Sequence, residues 1–315
     1  MQPKFLLLGV LAPLGECALK IAAAFNVIEY VPLLTTSQDY FNGSASFVNG
    51  GVANIVRDTT VDLAGNAETQ ALRQFNNNPS LRIIWNVAQV PYRIAANKAR
   101  GISALKDLKG KKIGTVSGTS AGYFIEHFLS TSAGLKPSDY TVVSGNVCHE
   151  APCGSGTFPY MLARGEIDAF GFWEPILQLG IDALGENKTV VFQDKKVYRE
   201  IYNLHSTKEK LADPKKRKEI VQFLRALIKA QQVFEMQPEK VYARVSKAVD
   251  VSVPLLEKVW RVHDWTGGIP EDLLDVLVEE DKYVARVDKR TAATREKLKT
   301  LIDTSVLEEA LRAKT

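Results

Sequence analysis

The sequence predicts an α/β protein of two doubly wound lobes with a cleft between them and a helical C-terminal segment. Three observations predict it. The 315 residues suit two domains of roughly 100–200 residues, each with its own core. As far as Ser206, short apolar runs alternate with amphipathic helical runs, the pattern of largely parallel sheets covered by helices on both faces. Beyond Ser206 only helical patterns remain.

Taken in chain order, the apolar run at residues 5–10 reads as a first strand. A turn at Ala12-Pro13, a helix at 14–25 and a second strand at 28–34 follow. A secretory signal peptide competes for these residues. The strand reading is preferred because cleavage near Ala24 would remove the sheet's first strand and its turn, which favours a cytoplasmic location over a periplasmic or secreted one. Further strands are expected at 61–64, 81–87, 112–116, 140–144, 167–173, 189–192 and 201–205, with helices at 41–56, 67–76, 121–133, 158–164 and 175–183. The helical tail reads as 215–235, 239–248, 254–262, 270–285 and 290–302. Crossings at 92–98 outward and 202–206 back give a discontinuous lobe 1 (1–92 plus 206–315) and an inserted lobe 2 (93–205). A pair of such connections makes a hinge whose closure can bury a ligand, and ligands collect at the carboxyl ends of the strands.

Composition excludes several classes. Hydrophobic residues at 45% and charged residues at 24% are ordinary for a folded globular chain. The net charge of +4 comes from Lys/Arg interleaved with Asp/Glu, so no concentrated footprint for nucleic acid exists. No apolar run approaches the length of a transmembrane helix. Three cysteines allow at most one disulfide and one free thiol. Neither a cofactor nor a metal is expected, and the chain is expected to be a monomer or weak dimer.

Two central motifs carry a family likeness. The run Leu105-Lys106-Asp107-Leu108-Lys109-Gly110-Lys111-Lys112-Ile113-Gly114, followed by Ser117-Gly118-Thr119-Ser120, resembles the start of the second lobe in ABC-transporter substrate-binding proteins for nitrate, sulfonate and taurine. The related fungal thiamin-pyrimidine synthases share it. Leu162-Ala163-Arg164-Gly165-Glu166-Ile167-Asp168-Ala169 with Trp173-Glu174-Pro175 looks like the same family's L-x-x-G-x-[IV]-D-A…W-E-P segment. The resemblance implies a periplasmic-binding-protein-like fold of type II, with the N-terminal part and C-terminal helices in one lobe and the middle of the chain in the other. It also implies a small polar or anionic ligand between the lobes and an ABC-transporter permease as partner. The family's G-x-F-x-x-x-G-L turn is absent after the first expected helix, which marks a diverged member. The dense cysteine cluster of the pyrimidine synthases is also absent, so its role is not carried over.

Candidate contacts follow from where strands end. Ser117, Gly118, Thr119 and Ser120 lead into a helix, where free N–H groups and the helix dipole favour an anion; simple N-capping by Thr119 or Ser120 is the bland alternative. Asn66 and Thr69 open another helix and face the cleft from the opposite side, or cap that helix. Ala12 and Pro13 offer backbone and small apolar contacts. Trp173 supplies a ring and Glu174 an acceptor, with core filling as the competing reading of Trp173. Tyr92 and Arg93 sit in the outward crossing.

The segment from Asn146 to Thr157 is longer than the family's usual loop. Its Cys148, His149, Glu150 and Cys153 could act as nucleophile, base and carboxylate, or as metal ligands. Three plainer readings compete: a Cys148–Cys153 bridge, burial as small hydrophobes, or service as a lid, and binding or lid duty is favoured over metal binding because C-x4-C with one adjacent His is not a zinc pattern. His205, in the expected return crossing, could meet His149 across the cleft for ligand contact or acid–base work. The sequence therefore supports a solute-binding protein first. An intracellular enzyme on the same fold, using His149, Cys148, Cys153 and His205, comes second.

Overall fold

The structure, a computed structural model, describes residues 18–312. The expected strand at 5–10 and the Ala12-Pro13 turn lie outside these residues. Ten strands are present among those described: β1 Leu19–Ala23, β2 Ala45–Asn49, β3 Leu63–Ala67, β4 Leu81–Val90, β5 Arg93–Asn97, β6 Lys112–Gly114, β7 Thr141–Val143, β8 Ala169–Phe172, β9 Thr189–Phe192 and β10 Glu200–Thr207. They form two five-stranded sheets, in the orders β2-β1-β3-β10-β4 and β7-β6-β8-β5-β9. In the first sheet β1 runs parallel to β2 and β3 while β10 runs antiparallel to β3 and β4. In the second, β6 is parallel to β7 and β8 while β5 is antiparallel to β8 and β9. Each sheet thus contains one reversed strand.

The N-terminal third corrects the sequence reading. Within the expected helix at 14–25, Leu19–Ala23 is β1. The expected strand at 28–34 is a 3₁₀ turn, Ile28–Tyr30, followed by a short helix, Val31–Thr35. Both segments are short apolar runs, for which periodicity cannot separate a buried strand from a buried helix. Leu19-Lys20-Ile21-Ala22-Ala23 becomes a strand because it pairs on both edges, with β2 and β3, and its apolar residues are buried. The expected helix at 41–56 contains β2 and the shorter helix Val52–Arg57.

The crossings also shift. β5 occupies most of the expected outward crossing, so the chain passes between sheets through Pro91 and Tyr92 alone. The expected return crossing at 202–206 lies inside β10, whose Ile201, Tyr202 and Leu204 are buried between β3 and β4. The return is therefore the segment 193–199. The two connections touch: Gln193 Nε2 donates to the Pro91 carbonyl at 2.8 Å, and the rings of Tyr92 and Tyr198 meet at 5.3 Å.

The helical tail closes the first sheet. The outer edge of β4 exchanges main-chain hydrogen bonds with Leu301, Asp303, Gly268 and Asp264, which satisfies a strand edge that would otherwise be open to pairing. Beneath it lies the long helix Pro214–Met236, whose Gln231 Oε1 accepts from Trp85 Nε1 at 2.7 Å. Among the described residues no helix is long and apolar enough to cross a membrane.

Candidate functional site

Between the two sheets lies a cavity of about 310 Å³, lined by Asn26, Glu29, Asn66, Gln70, Arg73, Glu200 and Tyr202 from the first-sheet side and by Thr119, Ser120 and Trp173 from the second. A larger depression of about 810 Å³ is lined by Tyr40, Gln222, Arg225 and Arg312. It draws on one lobe alone and is remote from the hinge. The smaller cavity is the one that lobe closure would seal.

Its first-lobe wall is the β3 exit. Asn66 accepts from the Ala67 N–H through its own Oδ1 at 2.9 Å, and the chain turns at once into the helix Glu68–Phe75. Two glycines let this exit close up. A Cβ on Gly51 would stand 2.1 Å from Asn66 Nδ2, and one on Gly65 would stand 2.9 Å from Leu33 Cδ1. From that helix Arg73 reaches across to the second lobe, donating to the Gly118 carbonyl at 3.1 Å while Asp288 grips it through two hydrogen bonds of 3.2 and 2.8 Å.

The second-lobe wall is the start of the helix Ser120–Ala133. Thr119 is its cap, accepting from Gly122 N at 3.3 Å and donating to the Val116 carbonyl at 2.7 Å. Gly118 gives its N–H to Tyr283 at 2.9 Å. Capping thus absorbs part of the donor set that the sequence offered to an anion. Ser120 Oγ instead lies 3.1 Å from the Tyr92 hydroxyl and 3.5 Å from Glu200 Oε1. Trp173 lines the cavity with its ring against Phe172, and its buried Nε1 has no hydrogen-bond partner.

Several expected contacts lie elsewhere. Glu174 is buried in an ion pair with Arg93, accepting from its Nε at 2.8 Å and Nη2 at 2.6 Å. Tyr92 sits behind the wall in an aromatic group with Phe124 and Tyr198. Thr69 is fully buried, whereas Ser117 and Asn146 face solvent away from the cavity. His205 is also fully buried, with Nδ1 3.0 Å from the Ala64 carbonyl, and burial lowers its pKa to about 4. It cannot meet His149, because β10 threads it into the first sheet. Cys148 and Cys153 form a disulfide, so neither is a free thiol nucleophile.

The disulfide-closed loop still reaches the cleft. The half-buried His149 ring bonds to the main chain of Asn26, a residue of the cavity rim, and burial lowers its pKa. Glu150 Oε2 accepts from the Ser252 N–H at 2.8 Å, so the second lobe holds the first at two points. The bridge removes about 2 kcal/mol of chain entropy from so short a loop. Reduction is therefore expected to free Glu150 and speed amide exchange at Ser252. Hydrogen exchange of oxidised and reduced protein measures this, and equal exchange would refute the strap.

The sequence reading missed a buried carboxyl cluster. Glu29, Glu68, Glu200 and Glu280 are each at most 6% exposed. Burial pushes Glu200 well above the usual carboxylate range, with Glu29 and Glu68 adding repulsion. Burial raises Glu280 in the same way, with Glu68 next in effect. Glu68 rises from 4.5 to about 7, chiefly by burial, while hydrogen bonds from Glu280 and from the Ile201 N–H pull it back. Glu29 Oε1 faces His263 Nε2 at 3.3 Å. The available signal was a lone glutamate inside the apolar run Val27-Ile28-Glu29-Tyr30-Val31.

A family model described as NMT1/THI5 like matches residues 48–241. No curated protein sequence matches the chain significantly. Among solved structures, the alkanesulfonate-binding protein SsuA from Xanthomonas axonopodis pv. citri, bound to MOPS, is 14% identical with a TM-score of 0.69, over 92% of this chain and 99% of that one. A putative sulfonate-binding protein from Methylobacillus flagellatus is 15% identical with a TM-score of 0.71, over 93% of each chain. The desulfurization enzyme DSZB is 14% identical with a TM-score of 0.63, over 93% of this chain and 99% of that one. At such identities the likeness is one of fold, and the two-lobed periplasmic-binding-protein fold expected from the sequence is the fold of this chain.

Proposed function

The chain belongs to the NMT1/THI5-like family, and from that premise we propose that it is a solute-binding protein whose lobes close over one small polar molecule. Lobe 1 comprises the first sheet with the C-terminal helices, and lobe 2 comprises β5 to β9 with their helices. The observation that carries the reading is the cavity walled from both lobes beside two short, touching connections. Such an arrangement converts hinge closure into ligand burial. The sulfonate-binding neighbours support delivery of the solute to an ABC-type permease.

The enzyme reading has less support, since the disulfide removes both thiols and His205 lies in the sheet. Native mass spectrometry of the purified protein is expected to show one small molecule per chain, and small-angle scattering a more compact particle when it is bound. Trp173→Ala is expected to weaken retention. Catalytic conversion of the bound molecule would sink the binding-protein reading.

A further inference from the structure

Resting on that solute-binding reading, we propose that the cleft selects a nitrogenous ligand, an amine or amidine that donates N–H bonds, in preference to a sulfonate or other anion. Three groups on the cavity wall can carry formal charge: Glu29, Glu200 and Arg73. Arg73 is neutralised before any ligand arrives, by its two hydrogen bonds to Asp288, and a third N–H is taken by the Gly118 carbonyl. An anion would therefore meet two carboxyl groups and a guanidinium already paired. The Thr119 cap and the Tyr283 hydroxyl also occupy N–H groups at the start of the helix Ser120–Ala133.

On the first-lobe wall the unmet capacity is mostly that of acceptors, against one unpartnered donor opposite, Trp173 Nε1. Tyr202 is 3% exposed, lines the cavity, and its hydroxyl has no partner. Glu29, 1% exposed, has an Oε1 that makes no hydrogen bond, its one near partner being His263 Nε2 at 3.3 Å. Glu200 has the Ser120 hydroxyl at 3.5 Å, a long contact that leaves its carboxyl able to accept more strongly. A ligand with two N–H groups would bridge these carboxyls, and a buried acceptor left unmet is costly. The Trp173 ring beside them can face a cation. At water's share of about 30 Å³ per molecule, the cavity of about 310 Å³ holds about ten non-hydrogen atoms.

The test is a thermal-shift and titration screen of the full chain with benzamidinium and phenethylammonium chlorides against sodium methanesulfonate and ethanesulfonate. The nitrogen compounds are expected to bind, and Glu200→Gln and Glu29→Gln, both isosteric, to weaken them about tenfold, the loss of one hydrogen bond to a carboxyl oxygen. The control Glu126→Gln, in an exposed pair with Arg286, is expected to leave binding unchanged. Sulfonate binding without amidinium or ammonium binding overturns the ligand class and leaves solute binding standing. If neither set binds, native mass spectrometry decides: a co-purified nitrogen base supports the class, a co-purified anion overturns the class alone, and a protein with no bound molecule overturns both readings.

Discussion

Glu174→Ala is expected to lower stability by about 3–5 kcal/mol, the usual loss when one partner of a buried ion pair is removed. Glu174 is 2% exposed and Arg93 14% exposed at their side chains, so solvent offers the abandoned guanidinium little compensation. Gln178 Oε1 still accepts from Arg93 Nη2 at 3.1 Å, which satisfies one donor and leaves the charge. The pair also joins the start of β5 to the segment following β8, and so fixes Trp173 beside the hinge. Arg93→Met with Glu174→Leu is expected to recover most of the loss, because an apolar pair has no desolvation to offset. Denaturant unfolding followed by tryptophan fluorescence measures both, and a loss under about 1 kcal/mol for Glu174→Ala would contradict the account.

The second large effect is a fall in stability as pH rises. Glu68 has its pKa raised from 4.5 to about 7 in the folded chain, so between those values the folded state holds a proton that the unfolded chain has released. Stability contributed by this group is full below pH 4.5 and declines until about pH 7. The decline is on the order of 3 kcal/mol at 1.36 kcal/mol per pH unit. Glu200 and Glu280, raised by the same burial, extend the trend to higher pH. Glu68→Gln keeps an acceptor for the Ile201 N–H and supplies a permanent donor. It is expected to stabilise the protein at pH 8 and to flatten the profile between pH 5 and 8. An unchanged slope in the variant would show that Glu68 does not carry the dependence.

The lobes and most elements of the middle and C-terminal chain were legible because their signals are local. Thr119 caps a helix beginning where the hydroxyl-rich run predicted one, and the helix Pro214–Met236 carries its own cap, Asp213, and apolar stripe. Leu19–Ala23 and Ile28–Tyr30 were not legible, since short buried apolar segments take their conformation from pairing partners distant in sequence. The same cause hid the site's charge. Glu29, Glu68, Glu200 and Glu280 are spread along the chain, and only Glu29, set inside an apolar run, departs from the look of an ordinary surface glutamate.

The sequence by itself determined the two-lobed architecture, the family, and the positions of Asn66, Thr119, Ser120 and Trp173 near strand ends, because strand-to-helix junctions are written in consecutive residues. Only the tertiary structure decided that Glu174 pairs with Arg93, that His205 is buried in a sheet, and that Cys148 and Cys153 brace a strap across the lobes. It alone gathered four carboxyl groups, two of which, Glu29 and Glu200, line the cleft. Burial and charge proximity are properties of neighbours in space, and both the protonation of those carboxyls and the polarity of the ligand they would accept depend on that neighbourhood.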